Sequence, residues 1–514
     1  MKQQTEQTTS CWMASAELPR CTELRRNETT DVCVIGAGIA GLTTAYLLAK
    51  DGARVMVLEN RHLAAGQTQR TTAHLVNAHD DLYSEVEKVH GVQGTRIAAQ
   101  SHTAAIDLIE QIVRDEEIDC DFARLPGYLF CPPGTSSELI DTEMGAAQRA
   151  GISGLEIVGR APITSFDTGR CLRYPQQGQI HPLKYLAQLS NAIQNLGGVI
   201  HTGTPVHKIE GGQVVTIETS SGPVVKADAV VVATNTPIND MYAMHTKMAP
   251  YLTYAIAARI PRGSVTRALF WDTERPYHYI RTEPLSDTED LLIIGGEDHK
   301  AGQVADQTDR HGRLDSWARE RFSMMGSVEY RWSGMVMETT DGAAFIGRNP
   351  GDKDNVYIAT GDSGMGMTHG TIAGILLRDL ILGRPNDWEK FYDPSRKPAA
   401  GMAWRKFVSE NVNAGLELVK DWLSLGDKPG VKELRPDEGT IERRNLSLVA
   451  VYKDKAGKTH ECSAVCPHLG CVVHWNNLEK VWDCPCHGSR FDANGQVVNG
   501  PAISPLAPVE AKAQ

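Results

Sequence analysis

Asp31-Val32-Cys33-Val34-Ile35-Gly36-Ala37-Gly38-Ile39-Ala40-Gly41 opens with a short apolar run and closes on glycines at G-x-G-x-x-G spacing. A helical pattern follows from Leu42 to Lys50, and Ala53 to Glu59 reads as a second strand ending in a carboxylate. Three such glycines permit a tight turn, close backbone approach to a pyrophosphate, and close packing of helix on strand. The helix N-terminus then faces anionic phosphates, and Glu59 stands where it accepts hydrogen bonds from a ribose. Each glycine taken alone also fits plain turn chemistry. Strand, glycines, helix, strand and carboxylate within one 29-residue unit make dinucleotide binding the expectation.

The choice of dinucleotide comes from further along. Gly66-Gln67-Thr68-Gln69-Arg70-Thr71-Thr72-Ala73 is a polar loop suited to run along a pyrophosphate and a flavin. Val206 begins a strand-rich stretch ending near Ala233-Thr234-Asn235. Asn355 to Gly361 reads as a strand, and Gly364-Met365-Gly366-Met367-Thr368 opens a helix reaching about Leu382. That helix start can aim backbone N–H groups at a flavin carbonyl.

Together these features resemble the D-amino-acid-oxidase-like flavoprotein superfamily of glycine and sarcosine oxidases, over about residues 31–384. The resemblance implies non-covalent FAD near Gly36, Gly38, Gly41, Glu59, Thr71, Thr72, Val206 and Met367. Ile39, Ala40, Thr68, Arg70, Thr234 and Gly366, in the same loops, complete the expected cofactor contacts. Residues 179–347 are expected to hold the substrate. There Tyr277-His278-Tyr279-Ile280-Arg281 precedes a strand, Leu291 to Gly295, and such strands form the wall opposite the flavin in the resembled superfamily. Arg281 would pair with a substrate carboxylate, and Tyr279 or His278 would orient an amine. An ordinary amphipathic strand with solvated tips accounts for the same five residues.

Near the C-terminus stand Cys466-Pro467-His468-Leu469-Gly470-Cys471 and Cys484-Pro485-Cys486-His487-Gly488-Ser489. Thiolates hold iron and sulfide, and two imidazoles on one iron raise the potential of a [2Fe–2S] centre. The expected ligands are Cys466 and Cys484 on one iron and His468 and His487 on the other. A Cys2His2 zinc ribbon is the alternative, but it gives no reason for Cys471, Cys486 or the Gly-Ser after His487. The boxes resemble the Rieske iron–sulfur family. A disulfide between Cys471 and Cys486 would clamp its two ligand loops over the cluster. Asn499-Gly500-Pro501-Ala502 looks like that family's shielding loop, and Ser489 would donate to a cluster sulfide. Phe491 stands where high-potential members carry Tyr, so a potential below the top of the roughly −150 to +300 mV range is expected.

The expected architecture is therefore α/β (α+β). A Rossmann-like FAD-binding domain with an antiparallel-sheet substrate domain occupies 30–385, its cofactor segments being 30–80, 180–240 and 340–385. Residues 1–29 form an N-terminal extension, and 386–430 a helical linker in which Phe407 to Leu425 has helical apolar spacing. A small all-β Rieske domain fills 431–514. The 514 residues carry a net charge of −11, and from Asp427 onward the two signs balance at 11 each. The acidic excess upstream argues against nucleic acid as a partner. Apolar content of 41%, a mean hydropathy of −0.29 and no long apolar run argue against a membrane anchor. Residues 1–20 lack a signal-peptide core. Five of 11 cysteines crowd between Cys462 and Cys486, and the scattered remainder look like reduced thiols, so a cytoplasmic protein is expected.

The function these features imply is an FAD-dependent dehydrogenase that oxidises a C–N bond of a small amine or amino acid. Electrons would leave singly through the Rieske cluster to an external acceptor protein. One alternative is an NAD(P)H-fed reductase component, which usually needs a second nucleotide fold. A Rieske oxygenase needs two His and a carboxylate on mononuclear iron; His74 and His79 have suitable spacing, but Thr71 stands where the carboxylate belongs. A non-enzymatic redox sensor is the reading from another class.

Overall fold

The computed structural model describes residues 8–132, 134, 138–239, 244–302, 309–397, 431–445 and 447–509. The strand Glu28–Ile35 lies at the middle of an eight-stranded sheet, parallel to Val55–Leu58 on one side and Val224–Val232 on the other. Val199–His201 extends the first edge, and Val356–Thr360 with antiparallel Phe345–Arg348 extends the second. Both faces of the central strand are covered, which is why its C-terminal half is continuously apolar rather than alternating. The helix Ile39–Lys50 crosses the helix Gly366–Ile381 at close range. A Cβ on Gly374 would press into the Thr43 side chain, so the crossing depends on that glycine.

The second sheet has nine strands and is mostly antiparallel. Its order runs Val328–Thr339, Met248–Pro261, Glu289–Lys300, His278–Pro284, Leu269–Asp272, Ala123–Phe130, Cys171–Gln179, His74–Leu75. Two small antiparallel sheets of three and four strands, within 438–499, follow at the C-terminal end. Trp482 and Phe491 fill their core. The expected α/β plus small all-β organisation is the observed one.

Two details differ from the sequence reading. The first strand begins at Glu28, inside the segment read as an extension. Residues of that segment are also built into the fold: the short helix Cys11–Ser15 buries Trp12, whose Nε1 donates to Thr71 O at 2.7 Å. The helix proposed over 407–425 lies outside the described residues. No described helix is long and apolar enough to cross a membrane.

Candidate active site and cluster loops

A cavity of about 510 Å³ lies beyond the carboxyl ends of the central parallel strands. That is the position at which open α/β sheets bind dinucleotides. The parallel sheet lends the cavity Gly36, Gly38, Glu59, Val206 and Thr234, and the nine-stranded sheet lends Thr253, Tyr279, Gly334 and Met335. Thr68, Arg70, Thr71 and Thr72 line it from the polar loop, and Gly366 and Met367 from the second helix start.

The turn after the first strand leaves no room for side chains. Gly36 has φ +106°, and a Cβ there would overlap the Ala233 carbonyl. A Cβ on Gly41 would overlap the Gly36 carbonyl. Glu59 closes the turn from the next strand, accepting from Ala37 N at 2.9 Å and Arg61 N at 3.0 Å. Gly38 caps the helix without a side chain to screen the first-turn amides, and Ile39 and Ala40 form part of the cavity wall. A backbone cradle at a helix N-terminus with a carboxylate alongside fits the diphosphate and ribose of a dinucleotide. The Thr68 hydroxyl accepts from Ile39 N at 3.2 Å and so joins the polar loop to this cradle.

Residues picked out for the substrate divide by strand geometry. Side chains alternate between faces, so Tyr279 and Tyr277 reach the cavity while His278 points away. The His278 ring stacks on Trp317 at 4.1 Å and its Nδ1 lies 3.0 Å from Asp272, so it does not meet the expected place beside an amine. Arg281, on the same side of the strand as Tyr279, is fully buried and does not border the cavity. Its guanidinium donates to the carbonyls of Thr72, Ala73 and Ile180 at 3.0–3.1 Å and pairs with Glu283. It therefore pins the backbone after the polar 66–73 loop, with its guanidinium turned to carbonyls and Glu283. Tyr279 borders the cavity, its hydroxyl 2.9 Å from that of Thr253. Arg70 also differs: it borders the cavity, but its Nη1 donates to Ser333 O at 2.8 Å and faces Glu479.

Sequence reasoning passed over Asp80, Trp271, Thr253 and Met335 in the wall, and Tyr277 as a site residue. Period-two alternation from Tyr279 would have found Tyr277. Nothing local marks the others.

In the C-terminal unit the two boxes fold as matching turns. Cys466 N donates to Cys471 O at 2.8 Å and Cys484 N to Ser489 O at 2.8 Å, and Gly470 and Gly488 adopt φ near +77° and +78°. Cys466 and Cys484 are both 1% exposed, with their sulfur atoms within hydrogen-bond reach. The half-buried rings of His468 and His487 stand 5.0 Å apart at 89°. A disulfide joins Cys471 to Cys486. Two buried sulfurs and two imidazoles converging from clamped loops suit a [2Fe–2S] group. The Ser489 hydroxyl lies against Cys466 and accepts from Ala502 N at 3.1 Å, tying the proline-containing loop to the site.

The two sites share a boundary. Val497, Asn499, Gly500 and Ile503 of the C-terminal unit line the same cavity as Gly36 and Glu59. A Cβ on Gly488, next to His487, would come within 2.8 Å of Met335 Sδ, and Met335 itself lines the cavity. Gly302 packs against Pro485 with as little clearance.

Comparison with known proteins matches this geometry. Residues 31–380 fit the family described as FAD dependent oxidoreductase, and 422–510 fit the Rieske [2Fe-2S] domain. A Bacillus subtilis protein named as a Rieske 2Fe-2S iron-sulfur protein, YhfW, is 32% identical over 97% of each chain. Gamma-glutamylputrescine oxidoreductase of Escherichia coli is 26% identical, over 77% of this chain and 94% of its own. The crystal structure of glycine oxidase from Geobacillus kaustophilus shares the fold, with TM-score 0.58 and 19% identity over 72% of this chain and 99% of the other. The chain belongs to the FAD-dependent oxidoreductases of the D-amino-acid-oxidase family, as a member ending in a Rieske domain, and its cofactors are FAD and a [2Fe–2S] cluster.

Proposed function

We propose that this oxidoreductase oxidises a C–N bond of a small amine or amino acid and passes the electrons singly through the Rieske cluster to an external acceptor. When bound, FAD supplies a two-electron acceptor and the cluster a one-electron carrier. The reading rests on the shared boundary: Met335 lines the cofactor cavity and touches Gly488 of a cluster loop. Gly36, Gly38, Gly41 and Glu59 would hold the dinucleotide, with Thr71, Thr72, Val206, Thr234, Gly366 and Met367 along its length. Cys466, His468, Cys484 and His487 would hold the iron pair. Tyr279 and its neighbours orient the substrate carbon, and the 497–503 segment helps close the cavity to water.

Among the described residues there is one parallel-sheet nucleotide fold, which weighs against an NAD(P)H-fed reductase. The test is anaerobic stopped-flow mixing with a panel of amines and amino acids, following flavin bleaching and cluster reduction separately. The reading requires cluster reduction to follow flavin reduction within the same molecule. Flavin reduced beside a cluster that stays oxidised through many turnovers would overturn it, as would bleaching by NADH alone.

A further inference from the structure

Charge is distributed unevenly around the cavity. Two arginines are among its described lining residues, and both are engaged. Arg61 sits at the ribose end, its amide on Glu59 and its guanidinium on the Ala65 carbonyl. Arg70 turns to Glu479. No lysine is among the described lining residues. The lining histidines are held neutral by burial, His74 and His369 down at about 3 and His79 at about 4. The substrate wall of the cavity therefore offers an anionic substrate group no described cation.

The same wall is built to suit the opposite charge. Trp271 and Tyr279 are direct cross-strand neighbours, and the Tyr277 ring lies 5.5 Å from that of Tyr279. Three aromatic rings thus line one part of the cavity. The Asp80 carboxylate borders it, 3.3 Å from the Tyr277 hydroxyl. A second carboxylate, Asp298, lies behind the rings, hydrogen-bonded to Thr253, which in turn meets Tyr279. Its Oδ1 is buried and has no hydrogen-bond partner. Burial raises both carboxyls, Asp80 to about 8 and Asp298 to about 7, so each takes up its charge as the pH passes those values. Aromatic rings and ionised carboxylates attract ammonium groups by cation–π and Coulomb interaction, and a bound cation favours the ionised form.

We infer that this wall receives the ammonium group of a substrate that carries no carboxylate beside its reacting carbon: an alkylamine or polyamine rather than an α-amino acid. This rests on the proposed C–N oxidation and narrows its substrate class. An α-amino acid placed here would bring its carboxylate toward Asp80 with no partner of opposite charge. Desolvating that carboxylate unpaired costs more than its aliphatic part can return.

The test uses the FAD- and iron-loaded full chain and non-reacting probes. Methylammonium, n-butylammonium and benzyltrimethylammonium are titrated against acetate, butyrate and benzoate by calorimetry and by the flavin absorbance change. At pH 9, where both carboxyls are charged, at least one cation should bind tenfold or more tighter than the carboxylate of matching size. Asp80→Asn should weaken that cation by tenfold or more while FAD content stays at the parental value and the variant melts no lower than the parent. If Asp80→Asn does not fold, Asp298→Asn and Tyr277→Phe carry the same comparison, with smaller losses expected. Carboxylates binding as tightly as cations, no cation binding at all, or variants that leave the cation unaffected would each overturn the inference. The electron-transfer reading fails on a different observable, an unreduced cluster, and these affinities do not depend on it.

Discussion

Arg70 and Glu479 face each other across the two halves of the molecule, Nη1 to Oε1 3.4 Å, with side chains 1% and 0% exposed. Arg70 belongs to the loop that lines the cofactor cavity, and Glu479 to a turn of the Rieske domain. The hydroxyls of Thr8 and Ser333 donate to the same carboxylate oxygen. Burial works to raise the Glu479 carboxyl, but Arg70 and then Arg490 outweigh it and hold the group ionised. A buried pair of this kind fixes position more than it stabilises.

Removing one partner should therefore cost more than removing both. Glu479→Ala leaves the buried Arg70 charge without this carboxylate, a loss of about 3–5 kcal/mol. Arg70→Met with Glu479→Leu should recover most of it. Chemical unfolding measures the stability, and the rate of cluster reduction after flavin reduction measures the docking. A double variant as unstable as the single one would show that the pair contributes net attraction.

Arg281 offers a contrast between an expected and an observed role. Its three carbonyl partners, on Thr72, Ala73 and Ile180, lie in or beside the flavin loop. Arg281→Met should leave these buried acceptors unsatisfied, at about 1–3 kcal/mol each. The expected result is lower stability and weaker FAD retention, with substrate KM little changed in the fraction that keeps FAD. A large rise in KM at full FAD occupancy would return Arg281 to the substrate site.

The extent to which this was legible from sequence follows from how local each signal is. Gly36 to Glu59 and the two Cys/His boxes are contiguous, because phosphate cradles and cluster loops are built from neighbouring backbone groups. Their fold and cofactors could be read directly. The substrate wall could not, since Asp80, Thr253 and Trp271 come from three separate segments of the chain that meet only in the folded cavity. Arg281 misled because a buried arginine that clamps carbonyls has the same one-letter signature as one that binds carboxylate. Alternation along His278–Pro284 does separate Tyr279 from His278, but says nothing of how deep Arg281 lies.

The proposed iron ligands make a sharp expectation. His487→Cys replaces an imidazole by a thiolate on the same loop, whose turn is kept by Gly488 and the Cys471–Cys486 disulfide. FAD content should be unchanged, since no atom of His487 lines the cavity. The Rieske signature in electron paramagnetic resonance should vanish, and any residual cluster should show a lower potential. A variant with the native signal would remove His487 from the ligand set.

Asp80 supplies a pH dependence whose sign can be worked out beforehand. Burial, then the nearby charges of Asp81 and Asp298, push its carboxyl up to about 8. Burial likewise moves Asp298 to about 7. Both carboxyls are therefore neutral at pH 6 and charged by pH 9. A quaternary ammonium keeps its charge throughout, so its affinity should rise with pH across that window and level off above it. Below the lower of the two values the slope approaches tenfold per pH unit for each group that must ionise. Stability runs the other way. A carboxyl whose folded value exceeds its unfolded value of about 4 binds protons more tightly when folded, so stability falls as pH rises from about 4 to 8. Saturating benzyltrimethylammonium should offset that fall, because it favours the ionised form. Asp80→Asn should flatten both curves, leaving the shallower dependence due to Asp298. Calorimetric titration at half-unit pH steps, with thermal melts alongside, measures both. An affinity that declines between pH 6 and 8 would mean that the ammonium group does not meet these carboxylates.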